Sequence, residues 1–270
     1  MPATVENTPS SEISAATVQL LMQAREYVQH NSERVAGTYT SEEYFQILLK
    51  NGVDARLNGN YGIAAAVVER DGKHEIVFLG QNNVFSGQDP HGHAEMNAVK
   101  SRTAFRKAVK ENDLAAIQRL IDEGKIYQFS TDPNIDPLER ILRPAPTPDI
   151  STTLFTTLEP CPMCTEGAVI NAAIKDVIMA SKDDLGGQLF TIKHLAPIWS
   201  DLAEELGINP QVTQSENPAD RSTYIPKELQ DLLLNMFFGT RDDLDRRLIS
   251  TFATIDSISL YLGLMRNIAN

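Results

Sequence analysis

The chain has 270 residues, 42% of them apolar and 22% charged, which is enough to bury one large core or two small ones. Thirty-six acidic against 24 basic residues give a formal charge of -12, which repels polyanions and argues against a broad nucleic-acid footprint. No stretch reaches the roughly 20 apolar residues of a membrane span, and the opening MPATVENTPSSEIS has neither a basic start nor an apolar run, so a cytoplasmic protein with no membrane partner is expected.

Residues 1–10 read as a loose tail. A helix is expected from about Ser11, where Ile13, Thr17, Leu20, Leu21, Ala24 and Val28 recur at helical spacing. Thr40 with Glu43 three residues on has the form of a capping box, and the helix it opens carries Tyr44, Ile47 and Leu48 and should stop near Gly52. From Tyr61 the pattern changes to two short apolar runs, GIAAAVVER and HEIVFLG, separated at Asp71-Gly72, which predicts an antiparallel hairpin. Residues 81–92, QNNVFSGQDPHG, are rich in turn formers and hand over to a helix, HAEMNAVKSRTAFRKAVK. A further helix is expected over 112–123, opened by Asn112 or Asp113 and carrying Leu114, Ile117 and Ile121 inward. Residues 131–149 contain five prolines and read as a functional loop or an insertion.

TTLFTTL then reads as a buried strand, Pro160 as the opening of a helix through CPMCTEGAVINAAI, and DVIMAS as the next strand. Strand, helix, strand in that order implies a parallel, right-handed crossover. Asp183 and Asp184, just after the last of these strands, are candidates to face a pocket at the strand ends. Trp199, the only tryptophan, reads as a half-buried packing residue before it reads as a stacking platform. Two amphipathic helices are expected near the C-terminus, one with Leu229, Leu232, Leu233, Met236 and Phe237, the other with Phe252, Ile255, Ile258, Leu262 and Met265.

The chain's two cysteines, Cys161 and Cys164, are too few and too close for a disulfide framework, and a bare C-x-x-C leaves a redox dithiol or a metal pair. Three positions apart on a first helical turn, their sulfurs can face one point, and the partial positive charge of a helix N-terminus favours the thiolate that binds zinc. His93 stands where the preceding loop becomes a helix and is followed by Glu95 in HGHAEMNA. One His and two Cys leave the fourth position of a zinc ion open, the mark of a catalytic rather than a structural site. A thioredoxin-like dithiol would need neither His93 nor Glu95 nearby. The order H-x-E, then P-C-x-x-C, each at an expected helix start, is the zinc-deaminase signature.

Through NNVFSGQDPHGHAEMNAV and TTLEPCPMCTEGAVINAAIKDVIMAS, residues from about 60 to 190 resemble the cytidine and deoxycytidylate deaminase superfamily, especially its branch of guanine deaminases and tRNA adenosine deaminases. The resemblance implies an α/β fold, a three-layer α/β/α sandwich with a mixed central sheet and extra helices at both ends. It implies Zn2+ held by His93, Cys161 and Cys164, Glu95 as the catalytic proton shuttle, and Asn82 hydrogen-bonded to the substrate base. Asn83 stands beside Asn82, and either can instead be a turn residue. His91 occupies a place where relatives usually carry a small residue or Thr, and reads as a residue of the pocket rim.

The implied partners are a small-molecule nucleobase or nucleoside and a second copy in a homodimer. The implied reaction is hydrolytic release of ammonia, with a guanine-like aminopurine preferred because QNNVFSGQDP most resembles that branch, and with cytosine or cytidine as the alternative of the same chemistry. A tRNA adenosine deaminase suits an acidic chain less well, and Arg102, Arg106, Lys107 and Lys110 form the one basic cluster that would favour it. A non-catalytic zinc-binding interaction domain would need neither Glu95 nor an open ligand position. Glu95 and Cys161 stand 66 positions apart, well beyond the separation usual in compact members of the branch. The expected organisation is an N-terminal helical extension over 1–55, a zinc-dependent deaminase domain over 56–206 with an insertion at about 106–150, and a C-terminal helical extension over 207–270.

Overall fold

The computed structural model describes residues 40–71, 74–130, 151–215 and 223–238, with residues 19, 22, 23 and 241 besides. The helix expected from Ser11 falls outside the described residues except at Gln19, Met22 and Gln23, which are helical. Helix α1 (Ser41–Leu57) begins as the capping box predicts: the Thr40 hydroxyl accepts from Glu43 N at 3.4 Å and Glu43 Oε2 accepts from Thr40 N at 2.7 Å. It runs on past Gly52, where a stop was expected. Gly52 is there for a close approach, since a Cβ at that position would lie 3.0 Å from Gly62 O.

Strands β1 (Ala64–Asp71) and β2 (His74–Gln81) form the expected hairpin, paired from Ala64↔Gln81 to Asp71↔His74, so the connection falls one residue later than Asp71-Gly72. Helix α2 (Ala94–Glu111) follows His93 and is ended by Asn112, whose φ of 55° reverses the chain. Helix α3 (Leu114–Asp122) is opened by Asp113, whose carboxylate accepts from Ala116 N at 2.9 Å. Ile117 is fully buried and Ile121 partly so, but Leu114 is 45% exposed, contrary to expectation. The packed face of α3 is built by Ala116, Ile117, Leu120 and Ile121, and first-turn Leu114 projects beyond it.

Strand β3 (Ile126–Ser130) pairs with the outer edge of β2 and was not foreseen, because IYQFS is short and runs into the proline-rich stretch, which lies outside the described residues. After β4 (Ser151–Thr156) comes a helical turn, α4 (Pro162–Cys164), which widens into a π-helical segment, Thr165–Ile170, before β5 (Asp176–Met179). The expected opening at Pro160 is therefore two residues early, and the expected regular helix is a short, wide one that breaks at Ala173, where φ is 52°. A 3-10 helix (Leu189–His194), α5 (Pro197–Leu206), β6 (Asn209–Val212) and α6 (Lys227–Phe238) follow. Trp199, on α5, is half-buried. The helix expected around Phe252 to Met265 lies outside the described residues.

The six strands form one mixed sheet in the order β3-β2-β1-β4-β5-β6. The pairs β3-β2, β2-β1 and β1-β4 are antiparallel, while β4-β5 and β5-β6 are parallel, so the expected crossover is present. Period-2 alternation sorts β1 between two cores. Ala64, Ala66 and Val68 face Tyr44, Phe45, Leu48 and Leu49 of α1 and Leu229, Leu233 and Met236 of α6. Ala65 and Val67 face Ala94, Ala98 and Phe105 of α2 and Ile117 of α3. This is the three-layer α/β/α sandwich that the motifs imply. The buried charges on the two faces are paired: Glu69 takes Arg102 at 2.5 Å and Arg106 at 2.6 Å, and Glu75 takes Arg70 at 2.8 Å and the Tyr44 hydroxyl. Two of the four residues of the basic cluster are thus spent on one buried carboxylate.

The closest seat in the sandwich is at Gly80. A Cβ there would lie 2.1 Å from Ala94 O and 2.3 Å from Ala98 N, backbone atoms of the first turns of α2. Gly80→Ala should destabilise the chain by about 3 kcal/mol or more, read by urea unfolding, because no flexible side chain can give way. Wild-type stability in that variant would contradict this packing.

Candidate metal centre

Two chain segments meet at the end of the sheet where β4 stops. His93 is the residue just before α2, with extended backbone (φ -73°, ψ 150°), and Cys161 stands in the same relation to α4 (φ -67°, ψ 171°). Each side chain therefore leaves a helix start rather than a helix flank. Cys164 closes the α4 turn and is fully buried, whereas His93 and Cys161 are half-buried. His93 Nδ1 lies 3.5 Å from Cys161 Sγ and 3.5 Å from Cys164 Sγ, and one ligand atom from each residue lies within 4.8 Å of the others.

This donor set fits zinc. Bonds of about 2.0–2.1 Å to nitrogen and about 2.3 Å to sulfur at a tetrahedral angle put N and S about 3.5–3.6 Å apart. The His93–Cys spacings match that figure, and three protein donors leave one position free. The electrostatics of the cluster agree. The hydrogen bond from Cys164 pulls the Cys161 thiol well below its ordinary range, against the effect of burial and helped by His93, while the same bond together with burial and the Glu95 charge pushes Cys164 up. Burial works to lower His93, but the Cys161 hydrogen bond and charge and the Glu95 charge outweigh it and the imidazole is raised. A bound cation displaces protons from such ligands, so metal affinity falls as pH falls.

Glu95, on the first turn of α2, is 4% exposed. Its Oε2 lies 3.3 Å from Cys164 Sγ and its Oε1 3.2 Å from the Thr156 hydroxyl. Burial is the main cause that raises its carboxyl above the usual range, with the Cys161 charge adding to it.

Asn82 is buried, its Oδ1 accepts from Val84 N at 3.3 Å, and its amide nitrogen has no hydrogen-bond partner among the described residues. Asn83 is built into the loop instead: its Oδ1 accepts from Asn97 Nδ2 at 2.9 Å, its N–H donates to Gly92 O at 2.8 Å, and its carbonyl accepts from Gly87 N at 2.7 Å. Asn97 also donates to Gln81 O at 2.9 Å, which ties the Asn82 loop to α2. Sequence reasoning missed Asn97, because only its place three residues into α2 hints at that reach.

Among the other residues singled out from sequence, His91 is exposed and its N–H donates to Asp89 Oδ1 at 2.9 Å. Asp183 is buried and pins its own loop, accepting from Leu185 N at 3.1 Å while its N–H donates to Glu159 Oε2 at 3.2 Å, and Asp184 is exposed. Glu159 also accepts from Phe190 N at 3.1 Å, so a buried carboxylate two residues before Cys161 holds the segment after β5 against the cysteine loop.

A mixed sheet between two helical layers, with one imidazole and two thiols at helix starts and a buried carboxylate beside them, defines a class, and comparison gives it a family. Residues 38–181 match the model of the cytidine and deoxycytidylate deaminase zinc-binding region, and the chain belongs to that family. The match starts at residue 38, so it includes α1, upstream of the stretch from about 60 that the motifs cover. The chain is similar to the guanine deaminase of Bacillus subtilis (strain 168), 34% identical over 131 residues that make up 48% of this chain and 56% of that protein. The chain thus spans about half the length of that curated relative. It is also similar to a solved structure described as a guanine deaminase from Nitrosomonas europaea, 20% identical, covering 87% of this chain and 98% of that chain with a TM-score of 0.41.

The purified protein should carry about one zinc per chain. Cys161→Ala/Cys164→Ala should abolish it in an elemental analysis and lower the melting temperature. Full zinc retention in the double variant would contradict the ligand assignment.

Proposed function

We propose that this chain is a zinc-dependent hydrolytic deaminase that releases ammonia from an amino-substituted nucleobase or nucleoside, with a guanine-like aminopurine as the preferred substrate. The observation that carries the reading is the Glu95 carboxyl, buried and 3.3 Å from a thiol of the metal ligand set. A structural zinc site has no use for such a group. When bound, zinc supplies hydroxide at neutral pH by lowering the pKa of water toward about 7.

The chain's own residues do the rest. Glu95 takes one proton of the attacking water and hands it to the ring nitrogen beside the amine-bearing carbon, then takes the remaining hydroxyl proton and gives it to the departing amine, so that one C–O bond forms, one C–N bond breaks and ammonia leaves a carbonyl behind. A carboxyl raised by burial suits that double duty, because it accepts a proton readily and returns it readily. The buried Asn82 amide, with its nitrogen open, orients the ring edge of the base, while Asn83 and Asn97 hold the loop that carries it. The similarity to a guanine deaminase supports the aminopurine preference, and cytosine or cytidine is the second reading because the proton chemistry is the same. The pairing of Arg102 and Arg106 with Glu69 weakens the case for a nucleic-acid substrate.

Ammonia release from guanine, adenine, cytosine and their nucleosides tests the reading in one panel. Guanine should turn over fastest, and Glu95→Gln should cut turnover by about 10²- to 10⁴-fold with zinc retained. Turnover confined to cytosine compounds would favour the second reading, and undiminished turnover in Glu95→Gln would overturn the mechanism.

Asn82→Ala should lower kcat/KM by about 1–3 kcal/mol, the cost of leaving a buried partner unpaired, without loss of zinc. Asn83→Ala should act through loop order and show it as a lower melting temperature. The reverse pattern would contradict the role given to Asn82.

A further inference from the structure

Thr156 is the last residue of β4 and is fully buried. Its backbone is fixed from both sides, because β4 pairs with β1 through Ala65↔Thr156 and with β5 through Thr156↔Met179. Its hydroxyl sits between two acceptors, Leu158 O at 2.9 Å and Glu95 Oε1 at 3.2 Å. A threonine hydroxyl has one proton to give and two lone pairs to accept with. Braced against the Leu158 carbonyl, it holds one Glu95 oxygen while the other, Oε2, stays turned toward the metal ligands, 3.3 Å from Cys164 Sγ.

We infer that Thr156 is a positioning residue of this site: its hydroxyl, braced on Leu158 O, fixes the orientation of the Glu95 carboxyl. The inference rests on the proposed role of Glu95. No other described side-chain hydroxyl is bonded to Glu95, and valine, which matches threonine in shape, can neither donate nor accept.

Thr156→Val, Thr156→Ser, Glu95→Gln and Glu95→Gln/Thr156→Val separate the possibilities, each loaded with zinc and assayed on guanine or on whichever base of the panel turns over. Thr156→Val should lower kcat about 10- to 100-fold, the scale of loss from a misplaced catalytic group, with KM and zinc content little changed. Thr156→Ser should recover most of that loss. Because Thr156 acts through Glu95, the double variant should be no slower than Glu95→Gln alone. In crystals of zinc-loaded Thr156→Val, the Glu95 carboxyl should leave its wild-type orientation.

Wild-type kcat in Thr156→Val with Glu95 unmoved would overturn the inference while leaving the deaminase reading intact. Additive losses in the double variant, or a loss of zinc, would also overturn it, by showing that Thr156 serves only the turn to Cys161. Full activity in Glu95→Gln would instead bring down the reading on which the inference rests, and the Thr156→Val crystal would still report whether the hydroxyl orients that side chain.

Discussion

One nitrogen and two sulfurs, from residues 93, 161 and 164, have to reach a common point within 4.8 Å, and nearly everything in the fold serves that convergence. The two segments that carry them touch through the sheet. Helix α2 is pressed onto β2 at Gly80, where only a hydrogen fits beneath Ala94 O and Ala98 N. The cysteine loop leaves β4, which is paired with β1 next door. Had α2 stood off by the width of a methyl group, His93 and Glu95 would have moved together away from the thiols. The π-helical turn after Cys164 belongs to the same constraint, since Gly167 lies so close to Met96 that a Cβ would meet its sulfur at 2.8 Å.

The cost of this convergence is electrostatic. An imidazole, two thiols and a carboxyl are crowded into a largely buried space, and each alters the others: Cys161 is drawn toward thiolate, while Cys164 and Glu95 are held toward their neutral forms. A divalent cation relieves the crowding by replacing protons with one charge that all the ligands share. Glu95 is left out of the ligand set and kept dry beside it. That position is the one the proposed proton shuttle needs.

The parts legible in the sequence are those governed by local chemistry. Thr40 and Glu43 announce a capping box that the backbone of α1 uses in full, and the alternation of GIAAAVVER sorts itself between two helical layers. His93 and Cys161 can be read as ligands because each stands at a helix start, where side chains project freely. What stayed hidden depends on tertiary neighbours. NPQV has no strand pattern and becomes β6 only because β5 offers it a parallel edge. Asn97 captures the side chain of Asn83, a contact that the sequence of the loop does not announce, and the Asn82 side chain takes only Val84 N among the described residues. Thr156 looks like any residue of a buried strand until the Leu158 carbonyl and Glu95 are seen on either side of its hydroxyl. Pro160 misleads because its ring suits a helix start, yet the helix waits until Pro162 so that Cys161 can stand outside it.

The central claim is a metal site with three protein donors and one exchangeable position beside a buried carboxyl. Zinc K-edge X-ray absorption on the purified, zinc-loaded protein reads that donor set directly. The account predicts two sulfurs at about 2.3 Å and one histidine nitrogen at about 2.0–2.1 Å, with a fourth, light-atom donor supplied by solvent and not by the protein. A centre closed by four protein donors, or one that lacks the histidine nitrogen or either sulfur, would contradict it.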